Sequence, residues 1–454
     1  MAGAGAAGLA TAISLARHGV ESLVVERRPE LSALPRATVL STRSMELLRS
    51  WGLEEEILER AVDVEWVGWQ SETLASAPAG TPFPVGYPTR DQSAVISPSA
   101  PACVAQDELE PVLLAHLRSL GAARVELGTE VLDVAADAAG ARAVLRDVRT
   151  GATRVVEAQY LVAADGAHSA VRRALRVAMR GPDRLAGAVS ALFRAPLWEL
   201  LGAHRHGIYF VTHPEGHGTF LPAGRGDRWL YGVLLEPGAE RVQDYTAERF
   251  ARLIRAGAGA PDLDVRVERT GAFTFAAQLA ERFRQGAAFL VGDAAHRVTP
   301  RGGTGLNTAF RDGHDLGWKL AWVLRGWAGD ELLDSYEAER RPVAEHNGAR
   351  GTDPNGSIRG VAEELHVDLG GRIAHAWLPG ETGRVSTLDL LGDGLTLFTG
   401  PGPGEPPRRR GRLPVTVRRL DAITARALGI LNGAALLVRP DGVPQPGLTS
   451  SATS

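Results

Sequence analysis

Three stretches of the chain pair glycines with a carboxylate at the end of an apolar run. Residues 3 to 8 read GAGAAG, and Glu26 closes the apolar stretch that includes Leu23, Val24 and Val25. Residues 164 to 172 read ADGAHSAVR after Tyr160-Leu161-Val162-Ala163, and residues 292 to 307 read GDAAHRVTPRGGTGLN after Ala287-Ala288-Phe289-Leu290-Val291. In the first stretch Gly3, Gly5 and Gly8 permit a tight turn and close backbone approach, so a pyrophosphate can sit on the helix that follows. A carboxylate about 20 residues on can then accept from both ribose hydroxyls. Glu26 disfavours a 2′-phosphate, so this site suits FAD or NAD rather than NADP. Asp165 and Asp293 stand where strands end, and ligands of parallel sheets lie at that rim. Taken alone, each aspartate reads equally well as a helix N-cap.

Bringing these carboxylates to one rim requires a parallel sheet whose strands are far apart in sequence. Leu9, Ile13, Leu15 and Ala16, followed by Gly19, predict a helix after the first loop. Loop, helix and the strand at Leu23 to Val25 make a βαβ unit whose first strand is missing, so the chain is expected to start earlier or to lack residues there. Residues 180 to 280 hold strand-like segments with aromatics, such as Gly207 to Val211 and Arg228 to Val233. Residues 66 to 100, rich in Pro and Ser with Trp66, Trp69, Phe83 and Tyr87, read as an excursion. The expected plan is α/β and discontinuous: a Rossmann-like dinucleotide domain from residues 1–70, 101–180 and 281–349, interrupted by a mixed β-sheet domain from 71–100 and 181–280. Leu316 to Trp327 and Leu332 to Glu345 read as amphipathic helices. After Pro342 the texture changes to Gly/Pro-rich turns around short strands at Leu395 to Phe398 and Ala434 to Val438, so residues 350–454 form a smaller third domain. In the sheet domain, Tyr209, Phe220, Trp229, Tyr231 and Phe275 could line a wide apolar pocket or fill the core, as aromatics in strands commonly do.

Bulk properties narrow the classes. A chain of 454 residues is too long for one compact core. With 44% hydrophobic and 23% charged residues and a formal charge of -3, it lacks the basic excess of a nucleic-acid or anionic-membrane binder. The run Arg408-Arg409-Arg410 reads as a solvated loop. Cys103 is the single cysteine, which excludes an intrachain disulfide framework and a thiolate metal cage, and no metal is expected. No apolar run approaches the roughly 18 residues of a membrane span, and no charged leader with an apolar core opens the chain. The expected compartment is the cytoplasm. Lys319 is the one lysine among 50 basic residues, a bias typical of a high-G+C bacterial genome.

The order of motifs adds a resemblance. GAGAAG, ADGAHSAVR and GDAAHRVTPRGGTGLN, followed by DLGWKLAWVLRGWA and LLDSYEAERRPVA, resemble the group A flavin monooxygenases of the para-hydroxybenzoate hydroxylase fold, and most closely the branch acting on aromatic polyketides. The likeness runs from residue 3 to about residue 347. It implies an FAD domain, a sheet-based substrate domain and a thioredoxin-like C-terminal domain without redox cysteines. Carried over by residue, Gly3, Gly5 and Gly8 hold the FAD pyrophosphate and Glu26 the adenosine ribose. Asp293 serves the pyrophosphate and ribityl region, and Asp165 serves FAD and indirectly the nicotinamide cofactor. Arg43 in STRSMELL matches an arginine near the flavin, and Gln106 in CVAQDELEPVL an FAD-contacting glutamine; by residue type alone they read as a helix-surface charge and an N-terminal helix residue. Pro300, Gly303, Gly305, Leu306 and Asn307 would present a helix N-terminus to the flavin ring. The chain departs from the pattern at Arg301, where relatives have a second proline, and over Arg311-Asp312-Gly313-His314-Asp315-Leu316. Both departures leave the ring's surroundings open.

The implied reaction uses NADPH or NADH to reduce FAD, adds O2 at the flavin C4a, and passes one oxygen from the hydroperoxide to a phenolic, multi-ring substrate. No residue is singled out as the substrate-activating base; His296 lies in the segment that packs at the FAD. The same scaffold supports Baeyer–Villiger insertion or oxidative rearrangement, and a redox-silent FAD-binding protein would keep the same glycines. A flavin halogenase is disfavoured, because Trp66-Val67-Gly68-Trp69 has the wrong spacing for that signature. The partners expected are a small aromatic substrate and O2, with the chain a monomer or homodimer.

Overall fold

The computed structural model describes residues 1–236, 241–381, 383–401, 412–431 and 434–445; the arginine run at 408–410 lies outside them. Six helices matter for the site: α1 (Ala6–Arg17), α2 (Thr42–Ser50), α3 (Gln106–Ser119), α4 (Thr304–Leu324), α5 (Asp334–Thr352) and α6 (Val361–Leu369). α1 stops where the sequence places its end, with His18 as C-cap and Gly19 in the left-handed conformation. α5 runs ten residues past Pro342, beyond the expected change of texture. A proline inside a helix lacks one N–H and normally kinks or breaks it, yet the buried residues Ala344, Asn347, Arg350 and Gly351 hold the second half in place.

Ser22–Glu26 pairs in parallel with Ala123–Leu127, and Leu161–Ala163 pairs in parallel with Ala288–Leu290. Ala2 joins the two halves through parallel bridges to Val25 and Ala163. Its N–H donates to the Val162 carbonyl at 2.9 Å, and Ala164 N donates to its carbonyl at 2.7 Å. Residues around Ala2 therefore stand where the first strand was expected. Because these strands run in one direction, their carboxyl ends bring Gly3, Glu26, Asp165 and Asp293 to one rim. α4 lies against α1 through Gly313 and Gly317: a Cβ on Gly313 would sit 2.2 Å from the Ala7 carbonyl oxygen, and one on Gly317 2.5 Å from Ser14 Cβ. Only glycines allow this approach, and it fixes where α4 begins.

The second unit is a seven-stranded sheet in the order Arg266–Phe275, Ala186–Arg194, Arg228–Leu234, Gly218–Pro222, His206–Val211, Glu65–Ser71, Thr81–Pro84. Its last two strands come from the early excursion, which enters the sheet at Glu65 rather than at the expected residue 71. Alternate side chains face opposite sides. Tyr209, Phe220, Trp229 and Tyr231 share the outer face, where they pack with Phe193, Phe250 and Ile254, the last two from the helix Ala247–Ala258. All four are fully buried. They fill the core and do not line a pocket, a correction to one of the two sequence readings. Phe275 pairs with Ala186 on the opposite, inner face, which also carries Ile208, Phe210, Thr219, Leu221 and Phe273.

The third region has its own apolar cluster from Ile373 to Val438. Its central strand, Leu395–Thr399, pairs in parallel with Val415–Arg419 and antiparallel with Ala435–Val438.

Candidate functional site

At the nucleotide end, Gly3 has φ +107°, and a Cβ there would meet the Ala164 carbonyl oxygen at 2.2 Å. A Cβ on Gly8 would meet the Gly3 carbonyl oxygen at 2.0 Å. Gly5 opens α1 without a side-chain cap of its own, and the Ala6 N–H at the first helical position hydrogen-bonds the Glu110 carboxylate. Glu26 ends its strand and accepts from Ala4 N at 3.1 Å and Arg28 N at 3.0 Å, which orients its two oxygens beside the glycine loop. Gln106, at the start of α3, donates its side-chain amide to Glu110 Oε1 at 2.7 Å. Burial raises the Glu110 carboxyl above its ordinary value, with the Gln106 hydrogen bond working against the rise.

Asp165 follows its strand by two residues. Its Oδ2 accepts from Val171 N at 3.1 Å, while its Oδ1 is buried with no hydrogen-bond partner among the described residues. The cap of the next helix is Ser169, whose hydroxyl accepts from Arg172 N at 2.9 Å. Asp293 lies in the single turn Gly292–Ala294, whose cap position is Val291. Neither aspartate is a helix N-cap. Arg172 ties the two motifs together, donating to the Ala294 carbonyl at 3.1 Å and lying in hydrogen-bond reach of the Ala167 carbonyl.

The turn at the start of α4 is held from three directions. Pro300 precedes Arg301–Gly303, and Gly302 and Gly303 both adopt positive φ, at 81° and 63°. A Cβ on Gly302 would overlap the Arg350 guanidinium at 2.2 Å, and one on Gly303 would meet Val39 Cγ1 at 2.7 Å. The Tyr87 hydroxyl lies 3.0 Å and 3.1 Å from the Gly302 and Gly303 carbonyls. Burial pushes that phenol above its usual range. Asn307 accepts from Ser41 N at 2.8 Å through Oδ1 and donates through Nδ2 to the Val39 carbonyl at 3.1 Å. Its side chain therefore fastens the loop around Val39 to α4, while Gly305 and Leu306 stand in the first turn. α4 opens on Gly303 with no side-chain cap.

The departures from the family pattern resolve as helix C-terminal contacts. Arg301 donates to the Gly351 and Asp353 carbonyls at 3.0 and 3.2 Å, at the end of α5, and its guanidinium lies 5.9 Å from the Phe275 ring. Arg311 donates to the Val367 and Asp368 carbonyls at the end of α6. Burial lowers its pKa to about 10. Both satisfy carbonyls that a helix leaves unpaired, and both place positive charge at the negative dipole end.

Arg43 is buried, pairs with Glu46 at 2.7 Å and donates to the Asp441 carbonyl at 2.6 Å, so its guanidinium contacts the third region. His296 is also enclosed: its Nε2 lies 2.5 Å from Asp312 Oδ2. A further group, the buried Asp315 and Asp441 with the half-buried Glu339, has carboxylate oxygens within 4.8 Å of one another. Lys319 Nζ lies 2.8 Å from Asp315 and 3.0 Å from Glu339, and Arg439 pairs with Glu339 and Asp441. Those cations already hold the carboxylates. The sequence marks Tyr87 only as one aromatic of the excursion and Asp312 only as part of the departing run, and gives neither a role. Tyr87 sits in a stretch without periodicity, and Asp312 lies inside a helical run where nothing marks one carboxylate as buried.

The donor set fits an adenine-dinucleotide flavin. The glycine cradle is closed to a Cβ at Gly3 and Gly8, two helices open without side-chain caps at one sheet rim, and one buried carboxylate oxygen there is left without a partner among the described residues. Comparison with known proteins agrees. The family model described as FAD binding domain matches residues 1–350. An aklavinone 12-hydroxylase of Streptomyces peucetius is 36% identical over 89% of this chain and 92% of its own length. A tetracenomycin A2 monooxygenase-dioxygenase of Streptomyces glaucescens is 32% identical over 97% and 91%. Among solved structures, aklavinone-11 hydroxylase in a ternary complex with FAD and aklavinone superposes with a TM-score of 0.85 at 33% identity, covering 97% of this chain and 93% of that one. Among the described residues, no helix is long and apolar enough to cross a membrane.

Proposed function

Because the chain belongs to the FAD binding domain family and is a flavin-dependent aromatic monooxygenase, we propose that it hydroxylates a phenolic, multi-ring aromatic polyketide, with NADPH or NADH as transient reductant and O2 as oxygen source. The observation that carries this reading is the inner face of the seven-stranded sheet. Ile208, Phe210 and Leu221 on that face are half-buried, and Phe273 and Leu234 are 42% and 48% exposed. Phe275 on the same face meets Arg301, and Tyr87 spans from this unit to Gly302 and Gly303, so the face looks onto the turn at the start of α4. A flat apolar wall with Ser190 and Thr219 among its few polar groups suits fused aromatic rings.

Bound FAD would accept electrons from the nicotinamide and activate O2. The protein's share is binding, orientation and exclusion of water. Gly3, Gly5, Gly8 and Glu26 would hold the adenosine diphosphate half, Asp165 and Asp293 the middle, and the Pro300-to-Asn307 turn the ring. The uncapped N-terminus of α4 offers N–H groups and a positive dipole end to negative charge on the reduced ring. One buried cysteine suits a reducing cytosol as the place of reaction. The mixed three-stranded sheet of the third region supports a thioredoxin-like unit without redox cysteines, with a structural role. Two relatives bear the name monooxygenase-dioxygenase, which favours, as a second reading, oxygen insertion or rearrangement beyond a single hydroxylation.

The test is a screen of multi-ring phenols and quinones for stimulated NAD(P)H oxidation by the FAD-loaded protein, with products identified by mass and NMR. Addition of one oxygen is expected. Oxidation of NAD(P)H that no multi-ring phenol stimulates would sink the substrate class, and a protein that stays colourless after reconstitution would sink the cofactor roles. Asp293→Ala is expected to leave a folded protein without bound flavin.

A further inference from the structure

The cluster His296–Asp312–Arg340 lies behind the residues given to the cofactor, and no step above uses it. Asp312, in the third turn of α4, is fully buried. Its Oδ2 accepts from Gly292 N at 3.2 Å and lies 2.5 Å from His296 Nε2; its Oδ1 accepts from Arg340 Nε at 2.7 Å. Gly292 and His296 flank Asp293 in sequence. One carboxylate on α4 therefore grips both sides of the turn that carries Asp293 and links it to α5. The turn has no room to drift toward α4, since Gly292 adopts φ +57° and a Cβ on it would meet Ala309 Cβ at 2.9 Å. Burial by itself would raise the Asp312 carboxyl, but His296 and Arg340 outweigh it and hold the group below the usual carboxylate range. The ionised form is thus the one present at neutral pH, ready to accept all three hydrogen bonds.

We propose that Asp312 is a positioning residue for the cofactor, fixing the Asp293 turn in register with the N-terminal end of α4. The two elements would touch different parts of one ligand, the middle and the ring, so an error in their spacing weakens both contacts at once. The inference rests on the assignment of Asp293 to FAD. A purely structural alternative assigns the cluster only the packing of α4 against α5, which Arg340 could serve without the turn.

Four full-length variants separate these readings: Asp312→Asn, His296→Leu, Arg340→Met and Asp293→Ala. For each, FAD affinity, the fine structure of the bound flavin's visible band and the apoprotein Tm are measured. A hydrogen bond to a charged group, converted to affinity, corresponds to about tenfold or more. Asp312→Asn and His296→Leu are expected to raise the FAD Kd about tenfold or more and to blur the band. Arg340→Met is expected to lower the apoprotein Tm with a much smaller change in Kd, because it leaves the grip on the turn intact. His296→Leu keeps the Asp312–Arg340 pair and carries the test if Asp312→Asn fails to fold. FAD affinity that follows apoprotein Tm across the variants, or an unchanged Kd and spectrum in His296→Leu, overturns the proposal. Full affinity in Asp293→Ala overturns it together with the assignment of Asp293, whereas loss in Asp293→Ala with unchanged His296→Leu overturns the role of Asp312 alone.

Discussion

Along the strand His206–Val211, Tyr209 and Val211 point to one face of the seven-stranded sheet and Ile208 and Phe210 to the other, and the two faces differ in what covers them. Phe250 and Ile254 of the helix Ala247–Ala258 pack on the outer face, and Tyr209, Phe220, Trp229 and Tyr231 on it have lost all contact with solvent. The inner face buries Leu192, Leu230 and Phe275 but keeps Ile208, Phe210 and Leu221 half-buried and Phe273 and Leu234 exposed. Both faces are apolar, so hydrophobicity does not distinguish a core from a binding wall. Coverage does. An apolar face covered by its own chain contributes stability, and one left partly bare gains its remaining burial from a ligand.

That contrast can be broken by substitution. Trp229→Ala, on the sealed face, is expected to cost about 3–5 kcal/mol by removing a fully buried indole from a packed core. Calorimetry should show a large fall in Tm while the surviving folded fraction binds FAD normally, and a loss under about 1 kcal/mol would mean the outer face is not a closed core. Phe273→Ala, on the open face, is expected to change stability by no more than about 0.5 kcal/mol. It should raise KM for a multi-ring phenol about tenfold, since a contact worth about 1.4 kcal/mol is lost only when substrate is bound. An equal effect on a single-ring phenol would remove the inner wall from the substrate's far end.

The smallest effect concerns alkaline pH. Burial raises the Tyr209 and Tyr231 phenols above their ordinary value, so the folded state favours their neutral form. For groups raised in this way the stability is complete below the unfolded value near 10 and is lost as pH rises through the folded value. Absorbance titration should show these phenolates appearing only as the protein unfolds. Tyr231→Phe, which gives up one hydrogen bond of 2.7 Å to the His217 carbonyl, should cost about 1 kcal/mol at neutral pH and flatten part of the alkaline limb.

Much of the candidate cofactor site is legible in the chain because it is written in local rules. Gly3 and Gly8 are needed by a backbone that passes too close for any Cβ, Glu26 closes the next strand, and Asp165 and Asp293 follow strands whose apolar runs are short and unbroken. The aromatic wall could not be read in the same way. Tyr209, Phe220, Trp229 and Tyr231 alternate correctly for one face of a sheet, but the period marks only that they share a face, not which face another helix will cover. Arg43 is similarly ambiguous: its place in STRSMELL implies a position near the flavin, and only the fold shows that the third region brings the Asp441 carbonyl to its guanidinium. Arg301 and Arg311 carry charges whose partners, the ends of α5 and α6, lie tens of residues away in sequence.

By itself the sequence determined the βαβ start, the strand ends that carry carboxylates and the glycine turn into α4, because these depend on backbone space and hydrogen bonding among near neighbours. Only the tertiary structure decided which apolar face stays open, where the buried arginines point and that Asp312 reaches back to the Asp293 turn. Those outcomes depend on packing between segments far apart in the chain, where a side chain's partner is set by the approach of another element and not by its own neighbours.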